Sequence, residues 1–174
     1  FVRELAASGA EPRITRDLLL EPAGEPLPSE PRRIPPKKNA EATRLWQQAY
    51  TTAFRAGARA QRFAFSWLLT GEVKYAREAA RWLLHLASWD LKGGIDIAHN
   101  DEAFIQHLRP MILAYDWAYE GLTPGERATV EAALEARLAE LSARVRKVFS
   151  ITEATPVERA ESHAMRFIST LGVA

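Results

Sequence analysis

Apolar residues recur at steps of three and four over most of the chain, the spacing of helices that bury one face. From Ala42 to Thr70 the repeat runs through Trp46, Ala49, Tyr50, Ala53, Gly57, Ala60, Ala64, Trp67 and Leu68. Phe54, Ala58, Phe65 and Leu69 add apolar residues on a second side, which predicts a helix packed on two sides. Gly71 supplies a stop, because glycine accepts the left-handed conformation that closes many helices. A second helix is predicted from Val73 to Trp89, with Ala76, Ala79, Ala80, Leu83, Leu86 and Ala87 inward. After the loop Asp90–Asn100, with its paired Gly93 and Gly94, a third spans Asp101 to Glu120. Phe104, Leu108, Met111, Ile112, Tyr115 and Tyr119 set its core face, Pro110 predicts a kink, and Gly121 ends it. Thr123-Pro124-Gly125-Glu126 is a start signal, with a capping hydroxyl, a proline at the first helical position and a glutamate to close a capping box. The fourth helix continues to about Val148, and a fifth opens near Val157 and is still running at Ala174. No segment alternates with a period of two, so the chain reads as all-α.

Residues 1–10 predict a short helix ending at Gly9. Pro22, Pro26, Pro28, Pro31, Pro35 and Pro36 exclude a helix from the next stretch, since each lacks an N–H and pushes its predecessor toward extended geometry. Leu18, Leu19, Leu20 and Ile34 give this segment something to bury, which favours a surface strap over a free linker. The expected organisation is therefore an N-terminal packed segment, 1–41, and a helical domain, 42–174. Trp67-Leu68-Leu69-Thr70-Gly71-Glu72 closes one helix, and Trp117-Ala118-Tyr119-Glu120-Gly121 echoes it 50 residues later. Two hairpins with a third begun predict an array of α-hairpins. A closed ring of six would need roughly 300 residues at about 50 each, so a chain of 174 residues is expected to hold part of one. The absence of a starting Met and of a closing cap fits a piece cut from a longer protein.

Composition narrows the classes of function. The chain carries 23 basic and 22 acidic residues, a net charge of +1, so no global field points to nucleic acid. No apolar run approaches the length of a membrane span. The lack of cysteine removes disulfides, thiolate catalysis and cysteine-ligated zinc. No nucleophile elbow, phosphate-binding glycine loop or His-Glu-x-x-His pattern occurs.

Candidate chemistry concentrates on the fifth helix. Val157, Ala160, Ala164, Phe167, Ile168 and Leu171 form an apolar face; Glu158, Glu161 and Met165 a second. Arg159, Ser162, His163, Arg166, Ser169 and Thr170 gather on a third, with an imidazole between guanidiniums. Neighbouring cations favour neutral imidazole, which can act as a base, and Arg166 can bind a carboxylate. Such a face suits either a wall beside an acidic sugar or plain solvent. His99, Asn100, Asp101 and Glu102 form a second group, which either caps the third helix or reaches a sugar through Asn100. A metal held by Asp96, His99 and Asp101 lacks any recognised spacing, and no metal or cofactor is expected. Among five tryptophans, Trp46 and Trp67 fit the core pattern, and Trp89 beside the glycine loop is the candidate sugar-stacking ring. His85 and His107 read as structural, and Asp116 as a buried acceptor tying helices together.

WLLTGEVKYAREAARWLLHLASWD (67–90), HNDEAF (99–104), AYDWAYEGLTPGER (114–127) and ESHAMRFISTLGVA (161–174) together resemble the N-terminal helical domain of heparinase II/III-like polysaccharide lyases and related alginate lyases. The resemblance implies an incomplete α/α toroid and β-elimination on uronic-acid glycans. In such a reaction a base removes the C5 proton while the carboxylate is neutralised to stabilise the carbanion-like state. It implies that His163 is the family's histidine on this helix. Relatives carry Asn just before that histidine; here Ser162 stands there, and Arg166 is the substitute candidate for neutralising the carboxylate. The family's catalytic tyrosine falls past Ala174, so the chain by itself is expected to be inactive or nearly so. The implied partner is an acidic polysaccharide or oligosaccharide, with no nucleic acid or membrane, in a periplasmic or secreted setting; nothing assigns an oligomeric state. Two other readings stay open: a toroid glycoside hydrolase, which needs two carboxylates across a cleft, and a non-catalytic helical module that binds carbohydrate or protein.

Overall fold

The computed structural model describes residues 19, 21–36, 39–150 and 162–172, without the side chains of 148–150, 162–165 and 168. The expected helix over residues 1–10 and the opening of the fifth helix near Val157 lie outside the described residues. Every regular element among the described residues is a helix: α1 Ala40–Thr70, α2 Val73–Ala87, α3 Asp101–Ala118, α4 Pro124–Ser150 and α5 Ser162–Leu171, with a single 3-10 turn at Tyr119–Gly121.

Local chemistry sets the ends of these helices. Asn39 caps α1, its side-chain oxygen accepting from the Ala42 amide at 2.8 Å. Gly71 closes α1 at φ 68°, a region that side chains with a Cβ resist. The capping box at the start of α4 forms as its sequence suggests, with the Thr123 amide donating to Glu126 at 2.8 Å and the Glu126 amide to Thr123 Oγ1 at 3.3 Å. Two helices stop earlier than the pattern indicates: α2 ends at Ala87 rather than Trp89, and α3 tightens into the 3-10 turn after Ala118.

α1 packs on both α2 and α3, most extensively on α3. Its buried stripe is Leu45, Ala49, Ala53, Ala56, Gly57, Ala60, Phe63 and Ala64, mostly side chains that stop at Cβ. Such a surface lets two helix axes approach closely. The approach is tightest at Gly57, where an added Cβ would lie 2.8 Å from the Gln106 carbonyl oxygen and 3.0 Å from the Pro110 ring. Pro110 has no N–H, so the Gln106 carbonyl loses the donor it would meet in an unbroken helix.

The second apolar side of α1 is not packed as the pattern predicts. Phe54 is 51% exposed and Phe65 is exposed as well, and from the first side Leu68 is exposed too. The buried stripe keeps Ala49, Ala53, Gly57, Ala60 and Ala64 of the expected face but adds Leu45, Ala56 and Phe63 and leaves Trp46 and Tyr50 at its edge, a turn of about 40°. Asp116 likewise is exposed on α3 rather than buried between helices.

The proline segment forms a strap over α2 and the loop that follows it. The Tyr75 hydroxyl donates to Glu21 at 2.6 Å, and Arg81 donates to the Glu25 carbonyl at 2.8 Å. His85 Nε2 lies 2.7 Å from the Pro28 carbonyl, which only accepts, so that nitrogen carries the proton. The 3.2 Å approach of Trp89 Nε1 to the same nitrogen is therefore packing rather than a hydrogen bond. Gly94 donates to the Pro31 carbonyl at 3.1 Å. A Cβ at Gly94 would meet two strap carbonyls, of Pro31 at 2.6 Å and of Arg32 at 2.7 Å, which accounts for glycine there.

The C-terminal end of α2 is closed by a cation from α4. Arg137, 2% exposed, donates to the carbonyls of Leu86 at 3.1 Å, Ala87 at 3.4 Å and Trp89 at 2.9 Å. The helix dipole places negative partial charge at this end, where few backbone N–H groups remain to meet the last carbonyls; that of Leu86 also accepts from the Trp89 amide at 3.3 Å. Burial pushes the Arg137 pKa down to about 10, still high enough to keep the guanidinium charged at neutral pH.

Candidate functional site

Helices α1, α3 and α5 together frame a cleft of about 770 Å³. One wall is aromatic: Trp46, Tyr50 and Phe54 succeed each other at four-residue steps along α1. Trp46 and Tyr50 stack in parallel, with ring centroids 5.9 Å apart and an interplanar angle of 2°. The facing wall comes from α3, where Glu102, Gln106, Arg109 and Leu113 occupy a single helix face. Arg166 and Thr170 of α5 complete the lining.

Among the described residues, the charges in this cleft are one carboxylate and two guanidiniums. Glu102 is ion-paired with Arg166, a bridge between the first turn of α3 and α5. The carbonyl of Arg166 accepts from Ser169 Oγ at 3.0 Å and from Thr170 Oγ1 at 2.8 Å, which ties its backbone into the same helix. Arg109 is exposed and has no ion-pair partner among the described residues. An incoming anion therefore meets one committed and one uncommitted guanidinium, beside flat rings that can cover the apolar face of a sugar.

The residues singled out in the sequence divide between this cleft and the framework. Glu102 and Arg166 are brought together in it. Ser162 and His163 belong to α5, and His163 lies one turn before Arg166, but their side chains lie outside the described residues. Asn100 is fully buried and spends its amide on the framework: Oδ1 accepts from the Ala103 amide at 3.0 Å, capping α3, and Nδ2 donates to the Trp46 carbonyl at 3.1 Å. It thus pins the aromatic wall to the start of the polar wall. His99 lies away from the cleft, its Nδ1 3.1 Å from Asp96, with the Asp96 carboxylate folded back on the Ala98 amide at 3.0 Å. Trp89 is 3% exposed and packs on His107 with ring centroids 5.0 Å apart, so neither ring face is open to a ligand. His85 is spent on the strap, as described above.

Tyr50, Phe54, Gln61, Gln106 and Arg109 line the cleft without having been singled out. The signal for the aromatic three was their spacing, which the expected core pattern absorbed. Once Leu45, Ala56 and Phe63 are recognised as buried, the positions 46, 50 and 54 fall on the neighbouring face. Glu102 is the only acidic residue in the lining, and it is already paired, so the described cleft offers no second carboxylate for a hydrolase pair. Among the described residues no group of three His, Cys, Asp or Glu is placed to hold a metal ion, and no helix is long and apolar enough to cross a membrane.

No protein-family model and no curated protein matches the chain. The site is accordingly read from its own geometry.

Proposed function

We propose that the cleft binds an acidic glycan, and that the chain is the first part of an incomplete α/α toroid in a polysaccharide lyase that cleaves uronic-acid polymers by β-elimination. The observation that carries this reading is the meeting of an aromatic wall with two guanidiniums in one open cleft. Sugars present apolar ring faces that stack on aromatic rings, and uronates add a planar carboxylate that a guanidinium fork matches. Hydrogen bonding and positive charge at that carboxylate stabilise the carbanion-like state formed when the C5 proton leaves. Arg109, without an ion-pair partner among the described residues, is the cation for this role, and Arg166 the one oriented by Glu102. His163, one turn before Arg166 on α5, is the proposed base. The hairpin order α1–α2, α3–α4 with α5 beginning a third supports the toroid.

The test is the ultraviolet absorbance of unsaturated product on a panel of polyuronates, using a longer protein that contains this chain. We expect signal on at least one polymer and its collapse in the His163→Ala variant, with residues 1–174 alone giving little or none. A folded longer protein that yields no unsaturated product on any polyuronate would falsify the lyase reading. Full turnover in His163→Ala would remove that residue from the site.

A further inference from the structure

Phe54 and Ala58 line two cavities, the aromatic cleft and a second one of about 510 Å³ beneath the strap. Into this second cavity α1 contributes Arg55, Arg59 and Arg62. Their four- and three-residue steps put three guanidiniums in a row on one helix face, spread over about 10 Å of helix axis. The chain as a whole is nearly neutral, so such a row is a local concentration of charge. Only the middle member is paired: Glu25 of the strap sits 3.0 Å from Arg59. Arg55 and Arg62 are exposed, and no carboxylate among the described residues pairs with either.

We infer that the Arg55–Arg59–Arg62 row is a second subsite for an acidic glycan, which takes up a chain that leaves the aromatic cleft over Phe54. The proposal rests on the reading of the cleft as an acidic-glycan site. A single small anion can engage one or two members of a row this long, whereas a polymer with a charge on each sugar can engage all three. Glu25 demonstrates that the row accepts a carboxylate and marks where the polymer must displace one. Along the row itself single-stranded nucleic acid is the less suitable polyanion, because the succession of rings that would stack its bases ends at Phe54. On this flank Phe54 is exposed, but Trp82 is buried with its Nε1 donating to Glu78 at 3.0 Å.

Calorimetric titration of the 174-residue chain with a short uronate oligosaccharide and with a long polyuronate separates the two subsites. Exposed charge pairs are individually weak, so the Arg55→Gln/Arg62→Gln variant should lose roughly two- to thirtyfold in affinity for the polymer. Its affinity for the short ligand should not change. Glu25→Gln should move the other way and tighten the polymer several-fold, a gain that damage to the fold cannot imitate. Unchanged polymer binding in the double arginine variant, with the short ligand still bound, overturns the subsite and leaves the cleft reading intact. Failure of the unsubstituted chain to bind either ligand overturns both. A single-stranded oligonucleotide that binds as tightly as the polyuronate, and is lost in the same variant, overturns the assignment to a glycan.

Discussion

His107 is fully buried, with Nε2 3.0 Å from the Leu86 carbonyl and Nδ1 without a hydrogen-bond partner among the described residues. Burial, aided by the nearby Arg137 cation, holds its pKa well below the usual histidine range, so the folded protein keeps it neutral. The unfolded chain takes up a proton near pH 6.5, which the folded chain does not. This contribution to stability is therefore complete above that pH and is lost as the pH falls below it, by about 1.4 kcal/mol per pH unit until the folded-state pKa is reached. Melting temperatures measured from about pH 7.5 down to pH 5 should fall more steeply for the native chain than for His107→Gln. Parallel curves would show that His107 does not set the acid limit. Residue roles of this kind were only partly legible in the sequence. A histidine and an asparagine have the same letters whether they meet substrate or close a helix. Asn100 was open between a helix cap and a sugar contact, and the Ala103 amide and Trp46 carbonyl claim it for the framework; Trp89 looked like a stacking ring because it flanks a glycine loop, and burial against His107 decided otherwise.

At the scale of elements, Gly57 is the point on which the α1–α3 pair depends. Gly57→Ala would drive a methyl group into the Gln106 carbonyl and the Pro110 ring, neither of which is a flexible side-chain end. Overpacking of this kind costs about 1–3 kcal/mol, to be read as a lower denaturant midpoint at unchanged slope. An unaltered midpoint would mean that α3 yields at no cost. Helix existence and order were legible because the apolar repeats are long, and the Thr123–Glu126 start was legible because capping is local chemistry. The buried face of α1 was legible only in part, through Ala49, Ala53, Gly57, Ala60 and Ala64. With apolar residues on most sides of that helix, periodicity alone does not say which stripe meets α3, and the alanines that allow close approach are weak hydrophobic markers beside Trp46 or Phe54. The cleft was missed for the same reason, since its aromatic wall is the stripe mistaken for core.

For the molecule as a whole, the strap ties α2 to the loop that leads into α3. It binds α2 through Tyr75, Arg81 and His85, and the following loop through Gly94 and through the Asp90 amide, which donates to Glu30 at 2.9 Å. Because the strap backbone closes on Gly94, Gly94→Ala should lift it there. Hydrogen exchange read by mass spectrometry should then speed up at the Asp90 and Gly94 amides, while the α1–α3 pair keeps its protection. Unchanged exchange at both amides would show that the strap tolerates the added methyl. The sequence excluded a helix from this segment through its prolines, but its seat on α2 follows from partners more than fifty residues away, beyond the reach of any local pattern.

That separation also orders events in time. Glu30 and Asp90 are 60 residues apart, so the strap, made before α2 and its loop, has nowhere to dock until they have been synthesised. At ordinary translation rates of about 5–20 residues per second, the interval is roughly 3–12 s. Throughout it, the α1 surface under the strap, with its arginine row and Phe54, is open to whatever the nascent chain meets. The segment synthesised earliest among the described ones is thus among the last to find its place.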